Sequence, residues 1–299
     1  MDPQNKWEML IYRIQLIFIA LLGELYKFLI NIRLLKPFSC PLNEGSEPNV
    51  IVSLTTYGRR TNQVYYTIIS LLRQTYKPNM VILWLDEDNW SEANLPKSLR
   101  NLRSNGLTIK FCKDLKSYKK LIPALQEYPN SIIITCDDDI YYRKNMIKRL
   151  MIEHEKYPSK VIAHRAHKIT FSSDGILNNY NEWLQEISDD NGKSVFPTSG
   201  GGTLYKREFF HSDVCNEKLI MELAPKADDL WNYFMSLLKN TENIVLPYRG
   251  YIYIPLDVFY PLFHKNSNLT SINYNENFND VQIKRIMNYY HLTSNNLKD

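Results

Sequence analysis

Three aspartates in a row, Asp137, Asp138 and Asp139, follow directly on the run Ser131-Ile132-Ile133-Ile134-Thr135-Cys136. A run this rich in β-branched residues reads as a buried strand, so the strand ends in a cluster of carboxylates. Like charges held together repel and raise one another's pKa unless a cation or hydrogen-bond donors keep them ionised. Mg2+ or Mn2+ supplies such a charge, prefers carboxylate oxygens and retains positions for substrate phosphates. The cluster is therefore a candidate site for a metal and a diphosphate. The competing reading is a solvated acidic turn with capping aspartates.

Three other groups of residues bear on this chemistry. Asp228 and Asp229 open an amphipathic helix over Lys226 to Lys239, a position the helix dipole favours for carboxylates whatever their function. Ser199-Gly200-Gly201-Gly202-Thr203 strips about 10 Å of backbone of side chains, which exposes amide donors and permits close approach of a ligand. It leads into a strand rather than a helix, so it does not match a nucleotide phosphate fingerprint; its alternative is a flexible hairpin turn. Lys119 and Lys120 stand before Leu121-Ile122-Pro123, placed either to neutralise phosphate or to lie on a solvated helix face.

The elements that must position these residues alternate. Val50 to Leu54 is a strand, Thr61 can cap a helix carrying Val64, Ile68, Leu71 and Leu72, and Met80 to Leu85 is a second strand. A helix over Leu95 to Ser104, a strand over Leu107 to Cys112, a helix over Tyr118 to Glu127 and the strand before Asp137 follow. This rhythm predicts an α/β, doubly wound, mainly parallel sheet. In such sheets ligands bind beyond the carboxyl ends of the strands, where Thr55, Thr56, Tyr57, Asp86 and Asp137 to Asp139 all fall. Further on the spacing predicts helices over Arg143 to Tyr157 and Asn279 to Tyr290, and short strands over Lys160 to Ala163 and Ile244 to Leu246.

The 299 residues, 44% of them apolar, suffice for one large core. Lys+Arg exceed Asp+Glu by 36 to 32, too slight a margin for a nucleic-acid surface. Cys40, Cys112, Cys136 and Cys215 lack metal-ligand spacing, which fits a reducing cytoplasm. From Trp7 to Leu35 the chain is strongly apolar, but Arg13, Glu24, Lys27 and Arg33 leave about ten uncharged residues in a row where a span needs roughly twenty. The expectation is an amphipathic helix over residues 1–36, peripheral on the cytoplasmic face of the membrane, with a helix packed on the domain or on a second subunit as the alternative. A Pro-rich linker, 37–48, precedes a domain over 49–265, divided into a nucleotide-binding half (49–142) and an acceptor half (143–265). A helical extension, 266–299, closes the chain.

Motif order over residues 49–265 resembles the nucleotide-sugar glycosyltransferases with the A-type (GT-A) fold, close to the inverting family-2-like bacterial polysaccharide enzymes. The resemblance rests on Asp137-Asp138-Asp139 as the Asp-x-Asp motif at the fourth strand. It implies Asp137 and Asp139 as ligands of Mn2+ or Mg2+, with His264 as a third, and Asp137 and Asp138 as contacts to the donor. Thr55, Thr56, Tyr57, Arg59 and Arg60 match the loop that holds the nucleotide; Asp86, with Asp88 in reserve, matches the acid that meets uracil; Lys119 or Lys120 would meet phosphate. Gly201 and Gly202 fall where the family lays a floor under the sugars. Asp229 matches the catalytic base, with Asp228 orienting the acceptor. The resemblance thus implies a hexosyltransferase-type enzyme moving one sugar, with inversion, from a nucleoside diphosphate donor such as a UDP-sugar to a glycan or lipid-linked acceptor in cell-surface polysaccharide synthesis. The Gln-x-x-Arg-Trp motif of processive synthases is absent, so a non-processive reaction is expected. The alternatives are a nucleotidyltransferase, disfavoured by the glycine-poor first loop, and a non-catalytic membrane-peripheral glycan-binding or scaffold protein.

Overall fold

A computed structural model describes residues 3–35, 49–247, 253–256 and 277–299. In the first helix, side chains are described at Ile14 and from Ile17 onward. The linker at 37–48 and His264 lie outside the described residues.

An α/β architecture organises the chain, as the alternating pattern predicts. Its centre is an eight-stranded, mostly parallel sheet in the order β3-β2-β1-β4-β11-β6-β12-β9. The strands are β1 (Val50–Thr55), β2 (Met80–Asp86), β3 (Leu107–Cys112), β4 (Ile132–Cys136), β6 (Val161–Ala163), β9 (Asp190–Gly192), β11 (Thr203–Tyr205) and β12 (Asn243–Val245). The first four are parallel neighbours. β11 enters antiparallel between β4 and β6, and β12 runs parallel to β6. β1, β2 and β4 are almost wholly buried, which is why they read as unbroken apolar runs rather than alternating ones.

Helices flank the sheet: α2 (Val64–Leu72), α3 (Lys97–Leu102), α4 (Ile122–Glu127), α5 (Met146–Lys156), α6 (Glu217–Leu223), α7 (Asp228–Leu238) and α8 (Phe278–Tyr289). Two differ from expectation. Tyr118 to Glu127 is not one helix: a 3-10 turn over Lys116–Lys120 precedes α4, because Pro123 belongs in a first helical turn. Thr61 does not cap α2; it lies in the 3-10 turn Gly58–Asn62, and Gln63 precedes the helix.

Two smaller sheets complete the fold. β7 (Ala166–Lys168), β8 (Leu184–Ile187) and β10 (Val195–Pro197) form one, and β5 (Ile140–Tyr142) pairs with β13 (Tyr253–Pro255) in the other. The N-terminal helix α1 (Pro3–Asn31) packs on this second pair. Ala20 and Ile30 are buried, Tyr26 stacks on Tyr141 at 4.1 Å, and Lys27 Nζ donates to the Leu256 carbonyl at 3.2 Å. Its opposite face leaves Ile14, Ile17, Phe18, Leu21, Leu25 and Phe28 47–58% exposed. Among the described residues no helix is long and apolar enough to cross a membrane.

Candidate active site

β4 is paired on both sides, with Leu54 opposite Cys136 and Thr203 opposite Thr135. The chain must therefore leave the sheet at Asp137, with its polar groups beyond the strand tips. Polar side chains of α2 fix that exit. Thr67, Ser70 and Gln74 recur at helical spacing yet are fully buried. Thr67 Oγ1 donates to the Asp138 carbonyl at 2.9 Å, Ser70 Oγ accepts from the Tyr142 amide at 3.0 Å, and Gln74 Nε2 donates to the Arg143 carbonyl at 2.8 Å. Tyr142 lies beneath the turn, its hydroxyl 2.8 Å from the Asp137 amide and 3.3 Å from the Gly200 carbonyl, and burial holds that hydroxyl protonated. None of these four residues stood out in the sequence. A polar stripe at i, i+3 and i+7 on an otherwise apolar helix was the available signal for three of them.

The three carboxylates have different partners. Asp138 is buried; it accepts from Thr56 Oγ1 at 2.6 Å and from Arg60 Nη1 at 3.2 Å. Arg60 Nη2 reaches Asp139 Oδ2 at 3.0 Å, so one guanidinium forks across both acids. Asp137 Oδ1 lies 3.0 Å from Lys120 Nζ. Burial pushes Asp137 up, but Lys120, Arg60 and Arg165 together outweigh it and the pKa is lowered. Burial raises Asp138 despite Arg60 and Thr56. Burial, reinforced by Asp138 and Asp137 and only partly offset by Arg60, pushes Asp139 up to about 7.

Asp228 and Asp229 are brought to the same place. Lys120 is buried, and its Nζ lies 2.9 Å from Asp228 Oδ2 as well as against Asp137. One ammonium thus joins the β4 tip to the first turn of α7, and its pKa is raised because these acids outweigh the cost of burial. Asp229 Oδ1 accepts from the Ser199 amide at 3.2 Å and from the Ser199 hydroxyl. Burial first and the Asp228 charge second push Asp229 up to about 7, against Lys120 and Ser199.

The glycine triplet runs between these two acidic groups. Ser199–Gly201 is a 3-10 turn, and a Cβ on Gly200 would stand 3.5 Å from Asp137 Oδ2. A Cβ on Gly201 would come within 3.0 Å of the Cβ atoms of His164 and Arg165, so no side chain fits there without a shift of backbone. Gly202 adopts φ +95°, which L residues rarely occupy.

The other expected donor contacts are distributed along the same edge. Thr55 Oγ1 donates to the Trp84 carbonyl at 2.8 Å, and Tyr57 is largely exposed. Arg59 neighbours Arg60 in the turn after β1. Asp86 ends β2 in a buried position. Its Oδ1 accepts from the Asn89 amide and side chain at 2.9 and 2.6 Å, while its buried Oδ2 accepts no hydrogen bond from any described residue. Lys119 Nζ lies 3.7 Å from that oxygen and 2.6 Å from Asp114 Oδ1. Lys119 and Lys120 therefore point to different acids, and neither lies on a solvated face.

The donor set suits a divalent cation. Arg60 and Lys120 touch Asp137, Asp138, Asp139 and Asp228 directly, Lys120 reaches Asp229 electrostatically, and Arg165 reaches Asp137 in the same way while paired with Glu186. Burial first, with neighbouring carboxylates adding to it, pushes Asp139 and Asp229 up to about 7. Among the described residues no three acidic, Cys or His side chains stand in metal-holding positions, and Arg60 and Lys120 are the carboxylates' present ion-pair partners.

No protein-family profile matches the chain, and no curated protein matches it. Among solved structures it is similar to TarS residues 1–349 of S. aureus in complex with UDP-GlcNAc, with 15% identity, 80% of this chain and 66% of that one covered, and a TM-score of 0.47. It is also similar to the mannosyltransferase PcManGT of Pyrobaculum calidifontis in complex with GDP-Man and Mn2+, with 12% identity, 78% and 65% coverage and a TM-score of 0.41. A third is a CMP:2-keto-3-deoxy-manno-octonic acid synthetase complexed with CTP, with 10% identity, 67% and 89% coverage and a TM-score of 0.39. The chain spans about two thirds of the length of the first two. These are likenesses of chain course.

Proposed function

We propose that this chain is a metal-dependent, inverting, non-processive glycosyltransferase of the hexosyltransferase type. It would act on a nucleoside diphosphate sugar, with a UDP-sugar as first choice, and on a hydroxyl of a glycan or lipid-linked acceptor in cell-surface polysaccharide synthesis. The observation that carries this reading is the joining of two acidic groups by the buried Lys120: the Asp137–Asp139 tip and the Asp228–Asp229 turn. One group suits a cation and a diphosphate, the other a proton acceptor. A carboxylate near 7 is matched to taking a proton at neutral pH.

In this reading Asp229 takes the proton of the acceptor hydroxyl and Asp228, held by Lys120, orients that hydroxyl. The acceptor oxygen bonds to the anomeric carbon from the face opposite the diphosphate. The bond from that carbon to the phosphate oxygen breaks, and the nucleoside diphosphate leaves with its electron pair. Arg59 and Arg60 supply guanidinium groups for the diphosphate. Asp86 Oδ2, buried and lacking a donor, suits the ring N–H of uracil. Asp137 and Asp139 would hold Mn2+ or Mg2+, which when bound neutralises charge on the departing diphosphate; His264 is the proposed third ligand. The glycine triplet forms the floor beneath the sugars, and the exposed face of α1 lies on the cytoplasmic surface of a membrane that carries the acceptor.

Release of UDP from a panel of UDP-sugars with Mn2+, in the absence of acceptor, tests the reading. Slow release that Asp139→Ala abolishes supports it. Pyrophosphate release from a nucleoside triphosphate would point instead to a nucleotidyltransferase, and absence of any nucleotide binding to a scaffold.

A further inference from the structure

We infer that Arg60 is the resident counter-ion of the β4 carboxylates, which an incoming divalent cation must displace, so that cation and nucleoside diphosphate bind as a linked pair. The inference rests on the metal-dependent reading above and assigns Arg60 a task beyond contact with phosphate.

The geometry distinguishes Arg60 from Lys120. Its two terminal nitrogens divide between Asp138 Oδ1 at 3.2 Å and Asp139 Oδ2 at 3.0 Å, and so occupy one oxygen of each. Asp138 keeps a second donor in Thr56 if the guanidinium leaves. The Asp139 side chain has Arg60 as its ion-pair partner, while its main-chain carbonyl is separately held by the Leu256 amide at 2.7 Å. Lys120 is enclosed between Asp137 and Asp228 and is buried, so it has nowhere to move. The Arg60 side chain is one-third exposed on a short 3-10 turn, with solvent on one side.

A divalent ion reaching Asp139 meets a guanidinium already in place, and two positive groups cannot share those oxygens without repulsion. A diphosphate offers the displaced guanidinium an equivalent fork of oxygens. Each ligand therefore removes the obstacle to the other: the nucleotide draws Arg60 off the carboxylates, and the cation takes the charge that Arg60 leaves behind. Such coupling is reciprocal, so the cation tightens the nucleotide by the factor by which the nucleotide tightens the cation.

The test is a titration of the full chain with Mn2+, following free Mn2+ by electron paramagnetic resonance, with and without UDP, GDP or CDP. For the wild type, the fitting nucleotide should tighten Mn2+ about tenfold or more. Arg60→Gln should bind Mn2+ alone about tenfold more tightly than the wild type, and the nucleotide should then tighten it by a factor about tenfold smaller than in the wild type. Arg60→Lys, which keeps the charge but not the fork, should fall between them. Should Arg60→Gln fail to fold, the wild type still decides: equal UDP affinity with and without Mn2+ overturns the inference. So does an Arg60→Gln protein that binds Mn2+ no more tightly and keeps the full linkage. A wild type that binds no Mn2+ with any of these nucleotides refutes the metal-dependent reading itself, a result distinct from loss of linkage alone.

Discussion

Replacing Lys120 by methionine removes the charge that joins the two acidic groups while nearly preserving side-chain volume, so the cost is electrostatic rather than a cavity. Two carboxylates lose their partner. The Asp228 side chain is only 13% exposed and bears most of the loss; Asp137 keeps 34% of its side chain in solvent, which screens its share. Breaking a buried pair by removing one partner costs about 3–5 kcal/mol, and the partial exposure of Asp137 places Lys120→Met near about 3 kcal/mol. At about 2–4 °C per kcal/mol for a chain of this size, melting should fall by about 6–12 °C near pH 8. The sign with pH follows from the protonation states. Without Lys120 the main charge that holds the Asp137 pKa down against burial is gone, so the destabilisation is full at high pH and relieved once the carboxyl takes up a proton. The deficit against wild type should therefore shrink between about pH 8 and pH 5. Calorimetry of both proteins across that range is the assay. A deficit below about 1 kcal/mol at pH 8, or one that grows on acidification, would refute the bridging role of Lys120.

Three further outcomes are expected. With saturating Mn2+, which neutralises the β4 acids, kcat/KM for UDP release should rise about tenfold per pH unit below about 7 and level above it, and Asp229→Asn should lose that limb; a flat profile between about pH 5.5 and 7.5 would exclude Asp229 as the base. Gly201→Ala should cost about 1–3 kcal/mol in denaturant unfolding, since the new methyl meets His164 and Arg165 at 3.0 Å. Leu21→Glu with Phe28→Glu should leave melting nearly unchanged, because both side chains are more than half exposed, yet abolish sedimentation with anionic phospholipid vesicles; undiminished sedimentation would remove α1 from the proposed membrane contact.

The first half of the fold was legible because a parallel strand covered on both faces has to be apolar throughout, and β1, β2 and β4 are. Polar residues at or just past their ends, Thr55, Asp86 and Asp137, then mark the sheet edge without further information. The second half was harder to read. β6, β11 and β12 are three residues each, and β11 owes its place to partners on β4 and β6 that are distant in sequence. The position of Asp228 and Asp229 at the start of α7 was readable from helical periodicity, but their approach to Asp137 was not, because Lys120 brings it about from another part of the chain. Thr56 and Arg60 were legible as loop residues, whereas their grip on Asp138 needed three-dimensional proximity.

Leu256 is held at both ends of one residue: its carbonyl takes the Lys27 ammonium of α1, and its amide gives a hydrogen bond to the carbonyl of Asp139. The N-terminal helix is thus a buttress for the peptide that carries the third aspartate. Shortening the chain ahead of Val50 removes that brace together with a greasy surface. A trimmed chain that lacks the proposed activity has therefore not been shown to require lipid; only point changes on the outward side of α1 separate the two losses.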